Sequence, residues 1–145
     1  MTELTLEISR TINAPAEKLF NAWLDPAMLA RFMIPGEGMA PPKVQTDPRE
    51  GGEFHIVMQG AERELPHSGT YLKITRHSQI VFTWESEFSI DGSTVTLDFT
   101  PEGDATRIDL TQVKFFNEEA RDNHKGGWAN ILSTLDDIAA SAAVE

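Results

Sequence analysis

The sequence contains no cysteine. This absence excludes disulfide bridges, thiol nucleophiles and metal sites built from cysteine, and it is compatible with a reducing compartment. The first ten residues lack a cationic stretch followed by an apolar run, so we expect no signal peptide and a cytoplasmic location. No apolar run approaches the length of a membrane span, so membrane insertion is not expected.

Positive charge is also scarce. Lys and Arg number 12 against 23 Asp and Glu, which gives a formal net charge of −11 at pH 7. Nucleic acids and anionic membranes are held by clustered cations, so neither is an expected partner. With 145 residues, 40% of them hydrophobic, the chain can bury one core, and we expect a single domain over residues 1–145.

The beginning of the chain alternates polar and apolar residues, which predicts a half-buried β-strand up to Ile12. Arg10 occupies an inward position of this strand, where a charge needs a partner. Two interpretations remain open: its guanidinium binds a carboxylate or phosphate of a ligand, or it forms a structural ion pair, for which Glu85 is available.

The rest of the chain predicts an α+β layout. Two short helices follow Asn13-Ala14-Pro15, the second over Ala27 to Phe32. Short alternating runs from Val44 to Val113 predict an antiparallel meander of about six strands, and a change of parity after Tyr71 suggests a β-bulge. From Asn117 to Ala140 a period of 3.6 predicts a long amphipathic helix. The expected packing is a curved antiparallel sheet wrapped over this C-terminal helix.

Several segments, in this order, resemble the SRPBCC superfamily: Ile8-Ser9-Arg10-Thr11-Ile12-Asn13-Ala14-Pro15, Phe20-Asn21-Ala22-Trp23-Leu24-Asp25-Pro26, Gly51-Gly52, Gly69-Thr70-Tyr71, Thr83-Trp84, and His124-x-x-Gly127-Trp128 with Leu132 and Leu135. Over about residues 5–140 the chain is similar to the bacterial branch named after the activator of heat-shock-protein-90 ATPase, with a START-like, Bet v 1-like helix-grip fold. The resemblance implies a hydrophobic cavity between sheet and long helix, which the superfamily uses for lipids, polyketides, hormones and other apolar molecules. It does not imply one reaction.

Large apolar side chains are the candidates for the wall of that cavity; the alternative is that they fill a solid core. These candidates are Phe32, Met33, Phe54, Ile56, Met58, Tyr71, Phe82, Trp84, Leu97, Phe99 and Trp128.

Two polar residues join the candidate ligand-binding set. His124 matches a histidine common in relatives and is the best catalytic candidate, because it could orient a ligand carbonyl or act as a general base. Its alternative role is structural, held by a strand carbonyl. Gln112 stands where relatives commonly have another histidine. Because glutamine does not transfer protons near neutral pH, this departure weakens a two-histidine acid–base site.

Two further features carry expectations. Gly126 and Gly127 lie in mid-helix, where each costs about 1 kcal/mol relative to alanine. We expect Gly127 to allow close approach of a strand, and Gly126 has no sequence explanation. His55, His67 and His77 lack helical metal-ligand spacing, so we expect neither a metal site nor a cofactor.

Three functions remain as hypotheses. The first is binding of a hydrophobic small molecule that enters between the 33–41 loop, the turn near residues 60–66 and the start of the long helix, with Pro35 to Pro42 as a lid. The second is a cyclase-like or dehydratase-like enzyme in which His124 and Tyr71 move protons on a polyketide-like or aromatic substrate. The third, implied by the family name, is a co-chaperone-like interaction domain. An exposed edge strand would also permit a homodimer.

Overall fold

The computed structural model describes residues 4–34, 40–59, 63–86 and 92–144, and for residues 141–144 it describes the backbone only. In chain order, its elements are β1 (Thr5–Ile12), α1 (Ala16–Ala22), α2 (Pro26–Phe32), β2 (Ala40–Thr46), β3 (Glu53–Gln59), β4 (Glu64–Thr75), β5 (Gln79–Thr83), β6 (Thr94–Glu102), β7 (Ala105–Val113) and α3 (Glu118–Val144).

The strands form one antiparallel sheet in the order β1-β7-β6-β5-β4-β3-β2. The first strand therefore pairs with the last, and β1 and β2 are the edges. The sheet curls around α3, which also contacts β1 and α2. This is the predicted α+β helix-grip fold, with two short helices after the first strand, and the prediction is confirmed.

Local signals account for the helix boundaries. The Asp25 carboxylate accepts a hydrogen bond from the Ala27 amide at 2.9 Å, and Pro26 occupies the first turn of α2. The Asn117 side-chain oxygen likewise accepts from the Ala120 amide at 2.8 Å at the start of α3. Asparagine and aspartate are favoured at such positions because they satisfy amides that have no partner within the helix.

Two details of the sheet can be compared with the sequence predictions: the bulge after Tyr71 and the start of β2. The register of β4 against β5 shifts between Tyr71 and Lys73, which confirms the predicted bulge and leaves Leu72 exposed. In contrast, β2 begins at Ala40, before the predicted start of the meander at Val44. Pro41 and Pro42 thus belong to a strand, which is possible because β2 is an edge strand with one unpaired side.

The core lies between the inner face of the sheet and the apolar stripe of α3. Trp128, Ile131, Leu132, Leu135 and Ala139 are all buried, as the 3.6-residue period predicts. The inward residues of the strands meet this stripe, so the middle of α3 is enclosed by side chains from the sheet and the short helices.

Candidate ligand-binding site

A pocket of about 510 Å³ lies at the N-terminal end of α3. Its floor comes from β3, β4 and the segment after β5, and its side from the first turns of the helix and the residues before it. The lining residues are Met58, His67, Trp84, Phe116, Asn117, Glu119, Ala120, Asn123, His124, Gly127, Trp128 and Ile131.

Aromatic rings form much of this wall. The indole rings of Trp84 and Trp128 lie with their centroids 4.9 Å apart at an angle of 58°. The His67 ring packs against Trp84, with the two ring centroids 5.0 Å apart. Phe116 lines the same pocket although 58% of it is exposed, so one large apolar side chain stands in contact with both solvent and pocket.

His124 is held by its own helix. Its Nδ1 lies 2.7 Å from the Ala120 carbonyl oxygen, and its ring packs edge-on against Phe115. A carbonyl only accepts, so Nδ1 carries the proton, and in the neutral ring Nε2 is left as an acceptor. A backbone carbonyl thus holds His124, as the structural alternative expects, although that carbonyl belongs to α3 and not to a strand. His124 also lines the pocket, and its catalytic or ligand-orienting role stays a prediction.

His67 is a pocket residue that sequence reasoning did not select. It is buried, and its Nδ1 lies 2.9 Å from the Leu65 carbonyl oxygen. The available signal was parity: His67 shares the inward side of β4 with Gly69 and Tyr71. Its presence brings a second imidazole to the pocket that already contains His124.

Gln112 does not line the pocket; it belongs to a buried polar chain instead. The Trp128 indole N–H donates to Gln112 Oε1 at 2.7 Å, and Gln112 Nε2 donates to Ser93 Oγ at 2.9 Å. Ser93 Oγ in turn donates to the Val113 carbonyl at 3.0 Å. Because both ends of its amide are engaged inside the protein, Gln112 fixes Trp128, which itself lines the pocket.

The interior beside this pocket is nearly filled. The void between the sheet and the two short helices is only about 10 Å³, and it is lined by Trp23, Leu29, Met33, Phe54, Ile56, Tyr71, Phe82 and Trp84. The rings of Phe54 and Phe82 meet edge-on with centroids 5.3 Å apart. Aromatic side chains occupy this volume in the described part of the chain, so the open space between sheet and long helix, where the resemblance implies a cavity, is the pocket at the N-terminal end of α3.

The predicted wall residues thus divide into three groups. Met58, Trp84, His124 and Trp128 line the pocket, while Met33, Phe54, Ile56, Tyr71 and Phe82 line the small void together with Trp84. Phe32, Leu97 and Phe99 are buried core residues.

Burial and the nearby charge of Asp47 raise the pKa of Tyr71, so its phenol stays protonated near neutral pH.

Two indole N–H groups have no hydrogen-bond acceptor among the described residues. They belong to Trp23 and Trp84, and both nitrogens are buried. Most buried polar groups in proteins are paired, so an unpaired donor calls for an explanation. Trp84 is the one that lines both the pocket and the small void.

Arg10 is exposed and does not reach the pocket. Its Nε lies 2.9 Å from the Asp136 carboxylate on α3. The structural ion pair is therefore the interpretation that holds, but the expected partner Glu85 is wrong. The Glu85 carboxylate accepts from the Thr83 hydroxyl at 3.0 Å instead.

The glycines of the sequence motifs have different surroundings. A Cβ on Gly69 would lie 2.0 Å from the Thr83 carbonyl oxygen, so strand contact excludes a side chain there. Gly127 lines the pocket. A Cβ on Gly126 would meet nothing within 4 Å, and no contact in the described part of the chain explains this residue.

Parts of the predicted entrance lie outside the described residues. These are residues 35–39 of the expected lid and residues 60–62 of the expected turn. Within the ranges that are described, no three His, Asp or Glu side chains form a group that could hold a metal ion. The same ranges contain no helix that is both long and apolar enough to cross a membrane.

Solved structures with the same fold cover nearly the whole chain. The AHSA1-like protein from Aeromonas hydrophila matches with a TM-score of 0.83 and 21% identity over 98% of this chain and 96% of its own. An HSP90 activator from Plasmodium falciparum matches with 0.73 and 24% identity, over 93% and 95% of the two chains. CalU16 from Micromonospora echinospora matches with 0.72 and 22% identity, over 98% and 80%.

These likenesses are below 25% identity and show the fold alone, and no curated protein matches the chain. The sequence model of one family, described as "Activator of Hsp90 ATPase homolog 1-like protein", matches residues 13–140. Its fold family commonly binds hydrophobic ligands. The match covers most of the chain, and the chain therefore belongs to the Activator of Hsp90 ATPase homolog 1-like family.

Proposed function

We propose that the chain binds an uncharacterised apolar or amphipathic small molecule in the pocket at the N-terminal end of α3. The observation that supports this most is the wall of the pocket, in which Met58, Trp84, Trp128 and Ile131 surround a space of about 510 Å³. Small-molecule sites have volumes of roughly 300–1,000 Å³, apolar walls and a few polar groups that set orientation. His67, His124 and Asn123 are such groups.

The filled interior is the reason to place the ligand here. A void of about 10 Å³ has room for at most one water molecule, whereas the pocket next to it is large enough for a fused aromatic ring system. Trp84 separates the two spaces, since it lines both. The proposal therefore puts the ligand beside the entrance expected from the sequence, at the start of the long helix, and not in the small void.

The two glycines of α3 offer a matched pair of variants for a test. Gly127 lines the pocket, so Gly127→Leu would place a side chain inside it. Gly126 has open space around its Cβ position, so Gly126→Leu adds the same side chain one residue away without filling the pocket. N-phenyl-1-naphthylamine is a suitable uncharged probe, because its fluorescence rises in an apolar site.

We expect the unsubstituted protein to bind the probe, Gly127→Leu to weaken binding at least tenfold, and Gly126→Leu to leave it unchanged within about twofold. Circular dichroism melts would show that each variant is folded. If Gly127→Leu does not fold, Ala120→Leu fills the same pocket from a position about two helical turns earlier. Equal binding by the filling variant and its control, or no probe binding at all, would contradict the proposal.

An enzymatic role for the same pocket is the second candidate, and one observation favours it. Two imidazoles, His67 and His124, line one pocket, and each holds a backbone carbonyl through Nδ1. Such a pair could pass a proton to and from an aromatic or polyketide-like substrate. Tyr71, the partner expected from the sequence, lines the small void instead. Interaction with a chaperone, which the family description suggests, is a third proposal that no pocket residue supports.

A further inference from the structure

Resting on the proposed function, we further propose the chemical class of the ligand: an uncharged apolar molecule that carries a hydroxyl group, preferred over a carboxylate of the same size. The argument uses the charges of the pocket, the hydrogen-bonding state of His124 and the unpaired donor of Trp84.

The charges of the pocket disfavour an anion. Its described lining contains the carboxylate of Glu119 and no Lys or Arg. The two cations of this part of α3, Arg121 and Lys125, line a different groove with Thr5, Leu6 and Glu7. A bound carboxylate would lose hydration without gaining an ion pair, and the net charge of −11 opposes it further.

The hydrogen-bonding state of His124 favours a donor. Since Nδ1 donates to the Ala120 carbonyl, the nitrogen that remains for a ligand in the neutral ring is Nε2, an acceptor. A hydroxyl group can donate to it. A carboxylate has no proton to donate near neutral pH, so it would place two negative oxygens against a lone pair.

Trp84 supplies the complementary group. Its indole N–H is buried and has no acceptor in the described part of the chain, while its ring lines the pocket. A hydroxyl oxygen can accept a hydrogen bond at the same time as its hydrogen is donated. An oxygen that reaches Trp84 would therefore pair a donor that is otherwise unsatisfied.

Three naphthalenes of nearly equal shape separate these contributions at pH 7.5. In 2-naphthol the hydroxyl is present and uncharged, in 2-methoxynaphthalene the donor is removed, and in 2-naphthoate the group is a carboxylate. We expect 2-naphthol to bind about tenfold more tightly than 2-methoxynaphthalene and at least tenfold more tightly than 2-naphthoate, the difference one hydrogen bond can make. Quenching of tryptophan fluorescence and calorimetry would measure the three dissociation constants.

Variants then assign the preference to residues. His124→Phe should bind 2-naphthol and 2-methoxynaphthalene equally, and His124→Gln should recover part of the difference because its amide oxygen can accept. Glu119→Gln should strengthen 2-naphthoate binding by about threefold. Glu118→Gln, in the same helical turn but outside the pocket lining, is the matched control and should not.

The outcomes distinguish the two proposals. If 2-naphthoate or 2-methoxynaphthalene binds as tightly as 2-naphthol, the ligand class is wrong while binding in the pocket stands. If the hydroxyl preference survives in His124→Phe, the argument from His124 Nε2 is wrong. If none of the three compounds binds, the proposed function fails, and this inference fails with it.

Discussion

The two halves of the stripe on α3 face differently filled parts of the molecule. Near the C-terminal half, Leu132 and Leu135 are almost completely buried in the core, and neither lines the pocket. Near the N-terminal half, Ala120, His124 and Gly127 line a pocket of about 510 Å³. Both halves keep the same helical period, and both face the same sheet.

The difference lies in side-chain volume. Where α3 carries leucine it meets the strands in close packing, and where it carries alanine, glycine and a partly polar ring it leaves space. Protein interiors are packed to nearly constant density, so a sequence of small residues on a buried stripe means either a close neighbour or an opening. In this chain it means an opening.

The largest loss of folding stability is expected from a substitution in the C-terminal half of the stripe. Leu132→Ala removes a side chain that is 1% exposed, and we expect it to lower the free energy of unfolding by about 2–5 kcal/mol. Phe116→Ala, at the open end, should change it by no more than about 0.5 kcal/mol because the ring is mostly exposed. Urea unfolding followed by circular dichroism measures both. Similar losses in the two variants would show that the halves are equally packed.

A smaller loss of stability is expected at the buried polar chain of Trp128, Gln112 and Ser93. Gln112→Leu leaves the Trp128 indole N–H without its acceptor and removes one of the two hydrogen bonds of Ser93 Oγ, and we expect a loss of about 1–3 kcal/mol in unfolding free energy. Gln79→Leu is the control, since Gln79 bonds Asp98 in a less buried place and should cost less.

Probe binding by the Gln112→Leu variant tests whether Gln112 belongs to the ligand site. Because Gln112 is outside the pocket lining, the folded Gln112→Leu variant should still bind N-phenyl-1-naphthylamine, with an affinity lowered only as far as Trp128 becomes less fixed. A complete loss of binding by a folded variant would place Gln112 in the ligand site.

The smallest effect concerns the glycine pair. Gly126→Ala should raise the free energy of unfolding by about 0.5–1 kcal/mol, because a helix favours alanine and the new methyl group meets no neighbour. Gly69→Ala should have the opposite sign, since its Cβ would collide with the Thr83 carbonyl. Thermal and urea unfolding would check both signs, and a destabilised Gly126→Ala variant would reveal a requirement at this position that packing does not show.

Most of the fold could be predicted from periodicity and turn residues. The alternation in β1 and from β3 to β7, the two short helices, the bulge after Tyr71 and the stripe of α3 all depend on local sequence. The start of β2 was missed because Pro41 and Pro42 suggest a loop, and only the sheet order shows that they lie on an edge where a missing amide is tolerated.

The site could be predicted only in part. Trp128 and His124 follow from the helical stripe, since position on the stripe decides which face they occupy. The role of Gln112 depends on contacts among β6, β7 and α3, which are distant in sequence. Whether aromatic residues such as Phe54 enclose a cavity or fill it depends on summed volumes in three dimensions, which no spacing rule supplies.

The pairing of β1 with β7 has a consequence for how the chain folds. Thr5 pairs with Val113, so β1 has its hydrogen-bonding partner only when all the strands of this sheet have been synthesised. The contacts of α3 with β1 come later still. Such distant pairings slow folding, because the entropy cost of closing a long stretch of chain comes before any stabilising contact forms. Until then β1 is an unpaired strand, and we expect the hairpins from β2 to β6 to form the nucleus on which it docks.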